Sequence, residues 1–437
     1  MNKSMDAQVR LRRPDRMQVT MRVECDDQLI PQVHQARIIW SVLEKLDLSA
    51  FHQSIKARDG VCGRDATDPK LLVALWLYAA TRGVGSAREL ARLCVESRPY
   101  RWLCGGVTFN HHSLSDFRVG HATALDELFT QLLAALVERD LVKVRRISQD
   151  GTRVRAAAGS SSFRRGQRLE QLLEQAKTHM SELRTLLDDP EKSAGLSAKK
   201  KAARLRAAKD RQDRVEAAIA VLPEIKARQQ AAAKQAGNGK YGRKIKNNQP
   251  RVSTTDPEAR VMKMPNGGFA PAVNIQLATD TESRAIMGVD VCNSGSDKGQ
   301  APPMRKQVED RTGLKVQEHL MDGGFLVLDE IDRAAEAGVT VFAPPPAPRD
   351  PTRAAAQYIP KSTDSPAQAR WREGMGTETA KAIYKERAAT SETANADLKQ
   401  HRGLVQLTVR GLSKAKCVTL WCALAYNLMH FGRAMLG

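Results

Sequence analysis

Apolar residues alternate with period two in two regions of this 437-residue chain, and a long helical stretch lies between them. The first region is LVKVRRISQDGT, Leu141 to Thr152, where the apolar residues Leu141, Val144 and Ile147 alternate with basic ones. It reads as a strand that ends in the turn Asp150-Gly151, with a carboxylate at its tip. The second region holds PAVNIQLATD (Pro271 to Asp280) and RAIMGVDVCN (Arg284 to Asn293), two strands in hairpin across Asp280–Ser283. Between them, from about Phe163 to Lys246, the period is seven: Leu169, Leu173, Ala176, Met180, Leu183, Leu187, then Leu205, Ala208, Val215, Ile219, Leu222. The break at Asp188-Asp189-Pro190 through Ser197 predicts an antiparallel helical hairpin. A sheet interrupted in this way implies a mixed α/β domain carrying a helical insertion. Heptads specify a helix partner and no function, so a DNA clamp, a dimerisation arm and a spacer all stay open. The stretch GNGKYGRKIKNNQPR after the hairpin reads as a basic Gly/Asn-rich linker.

After the strands comes a helix from about Lys298 to Thr312. VQEHLMDGGF then gives a third strand ending in Asp322-Gly323-Gly324. A helix (Leu326 to Ala337), a short strand (Val339 to Ala343) and a Pro-rich loop follow. Tyr384 to Lys399 has the make-up of a helix, with Glu392, Asn395 and Lys399 on one stripe. The closing RGLSKAKCVTLWCALAYNLMHFGR reads as a core-packing helix.

Before the first strand, residues 31–140 are helical in pattern. One helix covers His34 to Leu46. A second starts at Asp68-Pro69 and stops at Gly83-Val84-Gly85. A third starts at Ser86, with Glu89 completing a capping box, and presents Arg88 and Arg92 outward. A fourth runs from near Ser113 through Leu136. Helix, short Gly turn and helix with exposed Arg fit a helix-turn-helix that contacts DNA. Residues 1–30 are a basic, weakly patterned arm.

The net charge of +20 calls for a polyanionic partner, and nucleic acid is the first candidate. The seven cysteines form no CxxC pair, which fits a reducing cytoplasm and argues against zinc. No signal peptide and no apolar run of membrane-spanning length is visible, so no membrane partner is expected.

Three acids stand out: Asp150 and Asp322, each before Gly at a strand end, and Glu392 on a helix near the end of the α/β region. An oxygen-rich set of this kind suits Mg²⁺. Asp-Gly is also a common turn, and Asp256 in STTDPEAR reads as a Thr-Asp-Pro turn or as an extra carboxylate. The order of these acids, with Tyr384, Arg387, Glu392 and Lys399, resembles the DDE-type bacterial insertion-sequence transposases, the RNase H-like branch with a Tyr-x₂-Arg…Glu-x₆-Lys signature. STTDPEAR, GVDVCNSGSDKGQAPPM and the closing apolar helix resemble that branch as well, so the likeness spans nearly the whole chain.

The resemblance implies an α/β plus all-α architecture: an RNase H-like mixed-sheet catalytic domain (141–162 and 251–437), a helical N-terminal domain (31–140), and an inserted hairpin with its linker (163–250). It implies that Asp150, Asp322 and Glu392 ligate two Mg²⁺ ions, with Mn²⁺ tolerated in their place. Tyr384, Arg387 and Lys399 would contact the DNA backbone, and Asn395 would either orient Glu392 or stand as a surface amide. The partners implied are the terminal inverted repeats and a target duplex, with a homodimer on DNA, in the bacterial cytoplasm at the nucleoid. A DNA-binding protein without catalysis and a nuclease that cuts without joining are the alternatives. One departure stands. Four residues separate Arg387 from Glu392 where the commonest signature has three, which on a regular helix turns Glu392 about 100° away. Either Tyr384 and Arg387 precede the helix proper, or a local bulge restores the face. Glu386 is a rival third acid that lacks a Lys seven residues on.

Overall fold

The computed structural model describes the chain except residues 1–16, 18, 20–22, 54, 56, 58–64, 238 and 349. The basic arm therefore lies largely outside the described residues. Among the described residues seven α-helices open the fold: α1 (Gln35–Leu43), α2 (Ser49–His52), α3 (Pro69–Thr81), α4 (Ala87–Glu96), α5 (Arg98–Cys104), α6 (His111–Gly120) and α7 (Ala122–Glu138). Asp68 caps α3 through the Lys70 N–H, with Pro69 in the first turn, and Ser86 caps α4 through the Glu89 N–H. The single helix expected from Ser113 to Leu136 is broken at His121, which leaves helical geometry between α6 and α7.

The sheet contains β1 (Arg146–Arg155), β4 (Arg260–Lys263), β5 (Phe269–Asp280), β6 (Ile286–Cys292), β7 (Glu318–Leu320) and β8 (Thr340–Phe342). A separate short pair joins β2 (Phe163–Arg164) to β3 (Val252–Ser253). β5 runs antiparallel between β1 on one side and both β4 and β6 on the other; β7 and β8 run parallel to β1. Four strands joined by antiparallel pairing and two more added in parallel beside β1, together with many helices, are compatible with an RNase H-like α/β fold.

β1 starts later than the alternation suggests. Asp140 and Val144 both adopt positive φ, so Leu141 to Val144 form a connector and pairing begins at Arg146. Asp150 is therefore a mid-strand residue and not the end of a strand. Asp150-Gly151 is no turn either, because pairing with β5 continues to Arg155.

The hairpin consists of α8 (Gly166–Asp188) and α9 (Ala198–Ala236), packed along the heptad seam with Ala176, Met180, Ala208 and Val215 buried. α9 continues past Leu222 through Pro223. The stretch read as a linker contains α10 (Lys240–Asn247), which packs back on α9. The remaining helices are α11 (Ala301–Thr312), α12 (Leu328–Glu336), α13 (Pro366–Gly376), α14 (Glu378–Arg387), α15 (Thr393–Gln400) and α16 (Leu412–Phe431).

α16 ties the molecule together. It packs on α3, α6, α7 and β6, so the N-terminal helices and the sheet share a single hydrophobic core. Polar anchors set its register: Asn427 exchanges two hydrogen bonds with the Ile286 backbone (2.9 and 2.8 Å), and the Trp421 indole donates to Arg118 O (2.9 Å). Across the same core, Arg311 of α11 pairs with Asp126 of α7 at 2.7 Å. Among the described residues no helix is long and apolar enough to cross a membrane.

Candidate active site

The sheet register brings the first two acids side by side. Ser148 pairs with Leu320, and Asp150 and Asp322 each lie two residues beyond that pair. Side chains alternate along a strand, so Arg146, Ser148 and Asp150 share one face of β1. Arg146 bridges Glu318 of β7 and Glu386 of α14, the latter at 2.7 Å, and Ser148 bonds Ser391. These contacts seat α14 and its continuation on the sheet. They also engage Glu386 with Arg146, away from the other acids.

The helix predicted from Tyr384 to Lys399 is not regular. α14 ends at Arg387, a π-helical turn spans Ala388–Glu392, and α15 carries the chain on. A π turn absorbs one extra residue without breaking the helix. The fourth residue between Arg387 and Glu392 is accommodated there, and the bulge keeps both side chains at one place: Arg387 Nη1 lies 3.2 Å from Glu392 Oε1. Thr390 and Ser391 are buried beneath the turn, while Ala388 and Ala389 face out.

Arg387 is the hub. Its Nη2 is 2.9 Å from Asp150 Oδ1 and 3.9 Å from Asp322 Oδ2, so one guanidinium touches all three acids. Asn395, which the sequence suggested would orient Glu392, instead donates to Asp150 Oδ2 at 2.8 Å. Asp150 is thus gripped from both oxygens. Burial raises its pKa, with the charge of Asp322 adding to the effect and Arg387 and Asn395 opposing it. Burial works to lower the pKa of Arg387, but Asp150 and its neighbours outweigh that and raise it. Burial lowers the Lys399 amine, against the pull of Asp150. Burial raises the Tyr384 hydroxyl, which feels the same three carboxylates and Arg387. Tyr384, Arg387 and Lys399 therefore all feel the charge of Asp150, and Glu392 joins them through Arg387. Asp322 and Glu392 remain partly open to solvent.

The donor set is all oxygen, which is the chemistry of a hard divalent cation. Among the described residues, however, no group of three His, Cys, Asp or Glu is gathered tightly enough to hold a metal. The acids converge on the guanidinium and not on one another.

Behind Asp150, on the other sheet face, lies a polar cluster that the sequence did not reveal. Asp297 Oδ1 accepts from Asn274 Nδ2 and Gln276 Nε2, each at 2.7 Å, and Gln149 Nε2 donates to Gln276 Oε1 at 3.0 Å. All four side chains are buried. Asp297 packs directly over Gly151, where a Cβ would stand 2.9 Å from its Cγ. This explains the glycine after Asp150. The signal was present as amide side chains at alternate positions of β5, Asn274 and Gln276, in a stretch otherwise apolar from Phe269 to Ala278.

Two expected features lie elsewhere. Arg88 and Arg92 are exposed on α4, which packs on α5 and α6, and Arg92 pairs with Glu96. Asp256 is buried in the turn, accepting from the Glu258 and Gly411 N–H groups at 3.2 and 3.3 Å.

Two protein-family models match the chain. Residues 24–120 match a family described as Transposase domain (DUF772), and residues 348–431 match one described as Transposase DDE domain. Together they support a DDE-type transposase. The second match covers Tyr384, Arg387, Glu392, Asn395 and Lys399; the first covers α1 to α6 with Arg88 and Arg92. Asp150 and Asp322 fall outside both matches, and their link to the segment that matches the DDE domain rests on the contacts through Arg387. No curated protein and no solved structure matches the chain.

Proposed function

We propose that this chain is an insertion-sequence transposase that binds the inverted-repeat ends of its element, cuts there, and joins the ends to a target duplex. The observation that carries this reading is the convergence of Asp150, Asp322 and Glu392, from three separate elements, on one guanidinium within a segment that matches a DDE domain.

In this reading Asp150, Asp322 and Glu392 hold two Mg²⁺ ions, with Mn²⁺ accepted in their place. Such a pair supplies activation of an attacking oxygen and charge stabilisation of the leaving oxygen in phosphodiester displacement. Asn395 fixes the orientation of Asp150 by its bond to Oδ2. Lys399, on the turn after Asn395, meets a backbone phosphate as a point charge, and Tyr384 offers a hydroxyl to the same backbone. Arg88 and Arg92 follow the phosphates of the end duplex from α4, and synapsis of two ends makes the working unit a homodimer on DNA. The net charge of +20 supports a polyanionic substrate. The test uses labelled duplex from the flanks of the gene, with Mg²⁺ and a supercoiled target. End cleavage and joined products are expected; salt-sensitive binding with neither product would leave a DNA-binding protein only.

A further inference from the structure

The geometry points to Arg387 as a built-in stand-in for the divalent cation, one that holds the three acids until ion and DNA displace it together. This rests on the assignment of Asp150, Asp322 and Glu392 as the metal ligands. Three carboxylates gathered around one point repel, and burial of Asp150 adds a desolvation cost. A guanidinium within reach of all three offsets both. It holds the acids at the rim of a planar fork, wider apart than oxygen ligands around Mg²⁺ at 2.0–2.1 Å would stand. Arg387 and an ion therefore compete for the same oxygens. Like charges cannot share the centre, so ion entry expels the guanidinium.

The expelled side chain is anchored on the last turn of α14, next to a π-helical turn whose Ala388 and Ala389 are exposed. Released there, it needs an anion, and a DNA phosphate at the site supplies one in bidentate geometry. DNA binding then favours ion loading, and by linkage the ion favours DNA binding by the same factor. A metal-loaded triad without DNA is disfavoured, which keeps the acids from acting on free phosphodiesters.

The experiment is Mn²⁺ titration of the full chain, read from the electron paramagnetic resonance of the free ion, so that no activity is needed. Wild type, Arg387→Ala and Arg387→Gln are compared, each with and without Asp150→Asn. Thermal melts check that every variant is folded, and the glutamine variant keeps a side chain of similar reach should alanine fail. At least tenfold tighter Mn²⁺ binding is expected in either Arg387 variant, and the gain is lost when Asp150→Asn is added. Adding a short end duplex tightens Mn²⁺ binding to wild type but not to the Arg387 variants, with the Asp150→Asn mixture as the blank for ions taken up by DNA. Unchanged or weaker binding in both folded Arg387 variants, with Asp150→Asn still lowering it, overturns the displacement idea and leaves the ligand assignment intact. A gain that survives Asp150→Asn overturns the ligand assignment itself.

Discussion

Replacing Gly151 by Ala tests how Asp150 is supported. The new Cβ would lie 2.5 Å from Gln276 Nε2 and 2.9 Å from Asp297 Cγ, with Asp297 Oδ1 closer still. Such approaches do not occur between real side chains, so the Asp297 carboxylate has to move. Its two bonds from Asn274 and Gln276 move with it. Overpacking a tight interior costs about 1–3 kcal/mol, and each buried amide left without an acceptor about 1–3 kcal/mol. Gly151→Ala is therefore expected to destabilise by at least about 3 kcal/mol. Asp297→Ala removes the obstacle and orphans the same amides, so the double variant should be more stable than the sum of the singles by over ~1 kcal/mol. Urea unfolding of all four proteins completes the cycle. Additive costs, or a Gly151→Ala loss below about 0.5 kcal/mol, would refute the claim that Asp297 dictates the glycine.

The π-helical turn makes a prediction about length. Deleting Ala389 should collapse the bulge to regular helix, restore the commoner three-residue gap and keep DNA cleavage; inserting an Ala at that point should rotate α15 by about 100° and abolish it. Glu386→Gln should leave cleavage within about tenfold of wild type, equivalent to ~1.4 kcal/mol, because Glu386 serves Arg146. His319 is fully buried on β7 and its pKa is pushed down to about 3, chiefly by burial. Its folded pKa is below the unfolded value, so the unfolded chain takes up the proton first and stability falls as pH drops below about 6.5. At pH ~5 this amounts to about 2 kcal/mol, and His319→Leu should flatten the pH dependence of urea midpoints by that amount.

Much of this arrangement was legible in the residues, for physical reasons. Period-two alternation located β5 because Val273, Ile275 and Leu277 take its apolar face while Asn274 and Gln276 take the other. Heptads located α8 and α9 because their seam is a helix–helix contact. Caps and Pro69 located the start of α3. What was obscured depends on contacts distant in sequence. Asp150-Gly151 looks like a turn until Asp297 is found above it. The alternation before Arg146 is real in composition, yet positive φ at Asp140 and Val144 keeps it out of the sheet. α10 and α13 lie in stretches whose Gly, Asn and Pro content suggested loops. The four-residue gap pointed to an irregularity, but only the packing of Thr390 and Ser391 on the sheet decides between an early helix end and a bulge. The role of Arg387 was hidden for the same reason: a signature position says which side chain is present, and not that three carboxylates meet on it.

The most direct test of the account is Mg²⁺-dependent cleavage of end DNA by Asp150→Asn, Asp322→Asn and Glu392→Gln, with DNA affinity measured on the same preparations. All three variants should bind the end duplex about as well as wild type and cleave it at least about a thousandfold more slowly, equivalent to ~4 kcal/mol in the barrier. Cleavage at the wild-type rate by any one of them would contradict the assignment of that acid, and cleavage by all three would place the chemistry elsewhere in the chain.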